Sequence, residues 1–413
     1  MKTKTLPMFK AARAAFVVLL LAFAGLTQVK AQTFTVGDLN YSINDDGSTV
    51  TLTGHVDGFS GQLVIPESVQ LYGNDYPVTN IGDGAFENCG LTGSLVIPTF
   101  VTRIGYRTFA GNNITSLTIN NNLAELIYGA FEYCSQITEV TIPKSVRHLE
   151  TRIFGGCTNL ATLNYNAVWA EGCVGGGWDN WLEGTSLSTV NIGGDVQNIP
   201  CDFLNDVGNL PVNQIVLPES VTQISWAAFS NYHGLVNIPS SVTTIGGYAF
   251  NGCVGLTGVL VLPETLVSIG EYAFHDCTGL TGSLSIPNLV KNIDQYAFSG
   301  CSGLSGKLTL GASLENIRDW AFYGFMNNIT EVNVLTVTPP ALGGNVFVGS
   351  NATLPVIVPC GTVDNYQNTS GWNAFANIQE SDPCLRSLTL HFILLLAVWL
   401  VVPVYTNKVK LAP

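Results

Sequence analysis

Ile245-Gly-Gly-Tyr-Ala249-Phe250-Asn-Gly-Cys253 is followed shortly by Ile269-Gly-Glu-Tyr-Ala273-Phe274-His-Asp-Cys277, and the same arrangement stands far upstream as Ile81-Gly-Asp-Gly-Ala85-Phe86-Glu-Asn-Cys89. Working outward from the pair of a small residue and Phe, anchoring aromatics recur at Phe86, Phe109, Phe131, Phe154, Phe203, Phe229, Phe250, Phe274, Phe298 and Phe322, with a weaker Phe347, and most intervals are 21 to 26 residues. Self-similarity at this period marks a stack of short coils, because a unit of that size cannot bury its own apolar face. The one double interval, Phe154 to Phe203, holds a degenerate copy in which Trp181-Leu182 replaces the small residue and Phe, behind an insertion from Trp169 to Trp181. Its Cys173-Val-Gly-Gly-Gly177 stretch reads as a loop, since neither a helix nor a lysine follows to cradle a phosphate.

Each unit also carries a β-prone segment ending at proline: Leu63-Val-Ile-Pro66, Leu95-Val-Ile-Pro98, Val140-Thr-Ile-Pro143, Ile215-Val-Leu-Pro218, Leu260-Val-Leu-Pro263 and Leu284-Ser-Ile-Pro287. Period-two alternation turns the flanking aliphatics inward and the middle residue outward. Proline, lacking an N–H, ends the strand. The Val-Thr-x-Ile-Gly run that follows is expected to turn the chain, with glycine supplying backbone angles closed to other residues. Stacked at the strand spacing of about 4.8 Å, such coils share one core of Leu, Ile, Val and Phe. The expected fold is a repeat solenoid, mainly β with short turns or 3-10 segments, and capped at both ends.

The repeat pattern Ile-Pro-x-x-Val-Thr-x-Ile-Gly-x-x-Ala-Phe-x-x-Cys-x-x-Leu, as in Ile238 to Leu256 with Ser241 inserted and in Leu262 to Leu280, resembles the BspA-type leucine-rich repeats of bacterial and protozoal surface proteins. The resemblance runs from about Gly61 to Ser350. It implies a curved solenoid of leucine-rich-repeat type, extracellular display and adhesion to host matrix proteins or to other cells.

At the amino end, Lys2, Lys4, Lys10 and Arg13 precede an apolar run from Ala14 to Leu26 and the small-residue exit Val29-Lys30-Ala31, which is the order of a secretory signal peptide. At the other end, Leu388 to Tyr405 is apolar and is followed by Lys408 and Lys410, a candidate membrane span with its charged end in the cytoplasm. The domain reading is therefore a signal peptide over 1–31, a β-hairpin cap over 32–60, tandem repeats over 61–350, a second cap over 351–380, a transmembrane or tail segment over 387–406 and a short basic tail over 407–413. Of the charged residues, all 29 acids but only 8 of 16 bases lie between Gln32 and Leu385, leaving a net charge of −21 there. That field repels phosphate backbones and anionic lipid, which excludes nucleic acid and favours basic surfaces or cations.

Solenoid ends need cover, or their edge strands would pair with other chains. Phe34 to Gly54 reads as a hairpin around Asn44-Asp45-Asp46-Gly47. At the other end, Val356-Ile-Val-Pro359 gives a last strand and Thr362 to Phe375 a short amphipathic helix seating Tyr366, Trp372 and Phe375. Among the ten cysteines, Cys89, Cys134, Cys157, Cys253, Cys277 and Cys301 share one repeat position, which argues for small buried hydrophobes. Adjacent coils would nonetheless place Cys253 and Cys277 within bridging range. Cys173 with Cys201 and Cys360 with Cys384 are better candidates for bridges.

His55, His148, His233, His275 and His391 share no spacing and sit near no paired cysteines of zinc type. Asn44-Asp45-Asp46-Gly47 lacks the ligand spacing and closing glutamate of a calcium loop. No nucleophile elbow or catalytic cysteine setting is present. The reading assigns no metal, no cofactor and no enzymatic activity. Binding surfaces are what the sequence offers. The outward strand column runs Val64, Val96, Thr118, Thr141, Asn164, Asn191, Val216, Asn237, Val261, Ser285, Thr309 and Asn333 without a charge. A second column, two residues before the anchoring Phe, reads Tyr248, Tyr272, Tyr296 and Trp320. Aromatics with polar tips dominate interface hot spots, though they also stack to stabilise sheets. The expected function is adhesion to a host or neighbouring-cell protein or glycan, at the cell surface or secreted, with membrane attachment through the carboxyl-terminal hydrophobic segment. The alternative is an envelope scaffold or spacer without a dedicated ligand.

Overall fold

A computed structural model describes residues 32–171, 180–207 and 214–381. The signal-peptide and hydrophobic-tail readings lie outside these residues, as do Cys173 and Cys384. Among the described residues no helix is long and apolar enough to cross a membrane. Contacts divide the chain into two units, one ending at Asn237 and one beginning at Ile238.

Both units are mainly-β solenoids. The first opens with β1 (Thr33–Val36), β2 (Leu39–Ile43) and β3 (Val50–His55), an antiparallel meander. The hairpin expected around Asn44 to Gly47 joins β2 and β3. The extra strand β1 folds back through Gly37, whose φ is 62°. β4 (Ser68–Leu71) and β5 (Asn74–Ile81) form a second antiparallel hairpin, and β3 pairs with β5 in parallel, which passes the sheet from cap to repeats. From there the coils add parallel rungs to two ladders, each interrupted in places. The segments 63–66 and 260–263, expected to be strands, form none, because their coils meet the next one there only through the single bridges Gly61–Leu91 and Gly258–Leu280. The Ile-Pro segments give the first ladder, as in Thr141 beside Asn164 beside Asn191.

The second ladder corrects the sequence reading. The Val-Thr-x-Ile-Gly run does not merely turn the chain, because Asn80–Ile81, Arg103–Ile104, Glu125–Leu126 and His148–Leu149 pair in register. In the second unit Ile245, Ile269, Ile293, Ile317 and Leu342 do the same. The glycine after the isoleucine serves close approach rather than an unusual angle. A Cβ on Gly270 would lie 2.5 Å from the Gly247 nitrogen, well inside contact distance.

The left-handed angles fall instead two residues before and two after the anchoring Phe. In the first unit Gly84 and Asn88 flank Phe86 this way, and in the second Tyr272 and Asp276 flank Phe274. The result is a third line of coil-to-coil hydrogen bonds: the Tyr272, Phe274 and Asp276 amides donate to the Gln295, Ala297 and Ser299 carbonyls at 2.9, 2.7 and 2.8 Å. Inside this turn the phenylalanines stack. Phe86, Phe109, Phe131 and Phe154 follow at 5.3 to 5.7 Å, and Phe250, Phe274 and Phe298 at 5.2 Å, all with no exposed surface.

The same geometry moves one anchor. Asp202 and Asp206 carry the left-handed angles, and the Leu204 amide donates to the Ala228 carbonyl, so Leu204 holds the anchoring position and Phe203 the place of the small residue. Trp181-Leu182 stands in the same relation one coil earlier, with the Phe154 amide bonded to the Trp181 carbonyl. Two large rings therefore occupy sites that alanine fills elsewhere, and Tyr165 is buried against both, 6.4 and 5.1 Å away. Among the described residues the Tyr165 hydroxyl has no hydrogen-bond partner, and burial pushes its pKa well above the usual phenol range. A buried orphan of this kind costs about 1–3 kcal/mol. Tyr165→Phe is expected to raise the urea midpoint by the equivalent of about 1 kcal/mol; a fall of that size would show that the hydroxyl is bonded.

The second unit ends on Val356–Val358, α1 (Val363–Gln367), a 3-10 turn at Trp372–Ala374 and a last strand Ile378–Glu380 paired in parallel with Val356–Val358. The helix expected over Thr362 to Phe375 ends at Gln367, and Gly371, with a φ of 85°, turns the chain into the separate 3-10 piece. Tyr366, Trp372 and Phe375 are all buried. The Trp372 indole donates to the Pro340 carbonyl at 2.9 Å and the Tyr366 hydroxyl to the Thr336 carbonyl at 2.8 Å.

Candidate functional site

The strand column proves to be two kinds of position. Thr141, Asn164 and Asn191 are neighbours on one sheet, but their polar atoms serve one another: the Asn164 amide donates to Glu139 at 2.7 Å and to Thr141 at 3.3 Å, and the Asn191 amide donates to Asn164 at 2.8 Å. Thr118 is exposed beside Val96 on a separate two-stranded sheet. The Asn237 side chain turns to the backbone, accepting from the Leu217 nitrogen at 2.8 Å and donating to the Leu217 carbonyl at 3.2 Å. The structure does not bring these five together as one face.

The aromatic column is a single object. Tyr248, Tyr272, Tyr296 and Trp320 stack in four consecutive coils of the second unit, with centroids 4.6, 4.7 and 6.2 Å apart and rings within 20° of parallel. Each is half-exposed. Each also sits in the left-handed region, at φ between 54° and 60°, where a bulky side chain costs about 1–2 kcal/mol. Stacking returns about 0.5–1.5 kcal/mol per pair, so the ladder gives no clear stability gain over glycine, which fills the equivalent places at Gly84 and Gly129. The interior rings cover one another's faces, so their edges and hydroxyls are what they present outward. His275 packs edge-on to Tyr272 and Tyr296, and Tyr323 edge-on to Trp320. Burial in the stack, the neighbouring phenol and the Glu271 carboxylate raise the Tyr248 and Tyr272 hydroxyl pKa values, in that order of effect. These phenols are neutral donors at physiological pH.

The first unit carries a charged line at the corresponding place, which the sequence reading missed. Arg107 bonds Glu87 at 2.8 Å and also pairs with Glu132; Arg152 bonds Glu132 at 2.7 Å and Glu183 at 2.8 Å. The alignment that locates the tyrosines would have found it, since Arg107 and Arg152 also stand two residues before their Phe. Beside it Tyr106 and Tyr128 stack at 5.4 Å.

Cys134, Cys157, Cys277 and Cys301 are buried free thiols donating to the anchoring Phe carbonyl of the preceding coil at 3.0 to 3.2 Å, and Cys253 is a buried free thiol as well. Cys89 departs from the set. The first coil has a cap and not a repeat before it, so this thiol is only half-buried and meets His55 Nε2 at 2.8 Å. Cys201 and Cys360 are disulfide-bonded; the partners expected for them are outside the described residues. Among the described residues no group of three or more His, Cys, Asp or Glu could hold a metal ion. The Asp46 carboxylate is taken up by its own turn, accepting from the Ser48 and Thr49 amides and the Thr49 hydroxyl, which lowers its pKa.

A family model of the BspA type leucine rich repeat region matches six copies, over residues 71–173, 178–257 and 235–353. None of the curated proteins matches the chain. Among solved structures it is similar to the pneumococcal vaccine antigen PcpA, at 16% identity over 86% of this chain and 100% of that one, with a TM-score of 0.44. It is also similar to a leucine rich cell surface protein of Faecalibacterium prausnitzii, at 22% identity over 86% and 97% of the two chains, with a TM-score of 0.42. A leucine-rich repeat protein of Bacteroides ovatus follows at 21% identity over 73% and 94%, with a TM-score of 0.34.

Proposed function

The chain belongs to the BspA-type leucine-rich repeat family, and from that premise we propose that it is a surface-displayed or secreted repeat protein that binds a host or neighbouring-cell macromolecule through the aromatic ladder of its second unit. The observation that carries this reading is the continuous stack of Tyr248, Tyr272, Tyr296 and Trp320, half-exposed on four consecutive coils. Tyrosine and tryptophan are also the side chains that anchor interfaces at low entropic cost.

The test is adhesion of the Tyr272→Ala/Tyr296→Ala protein to immobilised host-matrix proteins or to cells. Loss of two anchors is expected to weaken binding at least about tenfold, with the fold intact by circular dichroism. Unchanged adhesion would remove the ladder from the binding surface.

The second reading, an envelope scaffold or spacer, draws support from the face-to-face packing of the same rings, which reinforces the coils. It predicts unchanged adhesion together with a lower urea midpoint in that variant.

A further inference from the structure

The charges around the ladder specify the chemistry of its partner. From Ile238 to Ser381 the chain holds nine acids and three bases, Lys291, Lys307 and Arg318. Each base is already paired: Lys291 with Glu315 at 3.2 Å, Lys307 with Glu331 at 3.0 Å and Arg318 with Asp294 at 2.9 Å. Three acids beside the ladder have no Lys or Arg partner among the described residues. Glu271 and Asp319 occupy the position just before Tyr272 and Trp320, and Asp276 follows Phe274 by two residues, 3.4 Å from the His275 ring. All three are exposed. Asp319 also lines, with Gln295, Asn316, Arg318 and Leu342, an open depression of about 300 Å³.

We propose that the ladder and its acidic rim form a docking strip for a basic protein segment, an extended peptide whose Lys or Arg side chains reach Glu271, Asp276 and Asp319 while its stems and apolar residues lie along the ring edges. This deepens the proposed function and rests on it. Long basic side chains suit the site because their methylene stems cover apolar surface while the charged head stays at the acids. Glu271 and Asp319 are two coils apart, about 10 Å along the stack, the distance between same-face side chains three residues apart on an extended peptide of polyproline type. A neutral glycan is the poorer fit, since sugars stack on ring faces and the faces of Tyr272 and Tyr296 are covered by their neighbours.

The experiment measures an octalysine peptide binding to the full chain by titration calorimetry, alongside octaglutamate and a neutral oligosaccharide. Octalysine alone is expected to bind, with affinity falling steeply between about 50 and 300 mM salt. Glu271→Gln/Asp276→Asn/Asp319→Asn is expected to weaken it at least about tenfold. Asp38→Asn/Asp45→Asn/Asp57→Asn, which removes three exposed acids from the amino-terminal cap, is expected to change it less than twofold. Equal losses in the two triple variants would reduce the binding to the general acidic field and overturn the proposal, as would absence of octalysine binding. If the Tyr272→Ala/Tyr296→Ala protein loses adhesion while the acidic-rim variant keeps it, the ladder binds a partner that is not basic, and only this inference fails. If neither variant loses adhesion, both readings fail.

Discussion

Phe274→Ala is expected to destabilise the second unit by about 3–5 kcal/mol, the cost of emptying a fully packed aromatic site. The ring has no exposed surface and lies between Phe250 and Phe298, 5.2 Å from each. Neighbouring coils have no way to close the gap, because their spacing here is set by two lines of backbone hydrogen bonds, the Ile245–Ile269–Ile293 ladder and the turn that carries the phenylalanines. In a stack where each coil touches only its neighbours, the lost contacts fall on both sides of the break. A loss of this size is a large share of the roughly 5–15 kcal/mol that separates folded from unfolded domains. Urea titration should show a lower midpoint with an unchanged slope, and a loss under about 1 kcal/mol would mean the column is not what holds the coils.

Asp202→Asn is expected to stabilise the first unit, and only above acidic pH. Burial beside Trp181 and Pro200 pushes the Asp202 carboxyl up to about 6, partly offset by the Asn205 amide, which donates to it at 2.8 Å. In the unfolded chain the group ionises near 3.8. Between those values the folded protein holds the extra proton, so stability falls as pH rises from about 4 to about 6 and stays reduced above it. Every tenfold change in proton affinity is worth about 1.4 kcal/mol; allowing for the part of the group that solvent still reaches, the penalty at pH 7 is roughly 2 kcal/mol. Asparagine tolerates the left-handed angle at this position, φ 52°, and keeps the bond to Asn205. Urea midpoints should separate the two proteins at pH 7.5 and converge near pH 4. A difference of the same size at both values would contradict the buried-charge explanation.

The repeat architecture was legible because its signal is redundant: the small residue and Phe recur in coil after coil. What escaped were features carried by two residues or by a single coil. A rung such as Ser268–Ile269 is too short to show period-two alternation, so the second ladder read as a turn. At Phe203-Leu204 both residues can fill the anchoring site, and only the left-handed angles at Asp202 and Asp206 fix the register. Cys89 matches its repeat-mates in sequence, and what sets it apart is the cap lying where a preceding coil would be. Within the candidate site the four aromatics were found by spacing alone, but the self-pairing of Asn164 with Asn191 and the backbone bonds of Asn237 depend on side-chain direction. The charged line through Arg107, Glu132 and Arg152 occupies positions the repeat alignment already marks, yet its residues share no aromatic character with the column that begins at Tyr248, and their pairing across coils is visible only in three dimensions.

Under the proposed function one turn is divided between two tasks: Phe274 inside it holds the coils together, and Tyr272, two residues earlier, is proposed to serve recognition. Urea midpoints of Tyr272→Ala and Phe274→Ala, measured side by side with adhesion of the tyrosine variant, test that division. The prediction is a loss of about 1–3 kcal/mol for the tyrosine, whose ring stacks on two neighbours, against about 3–5 kcal/mol for the phenylalanine, with adhesion falling in the tyrosine variant while it is still folded. Equal losses of stability, with adhesion falling only as far as the protein unfolds, would contradict it.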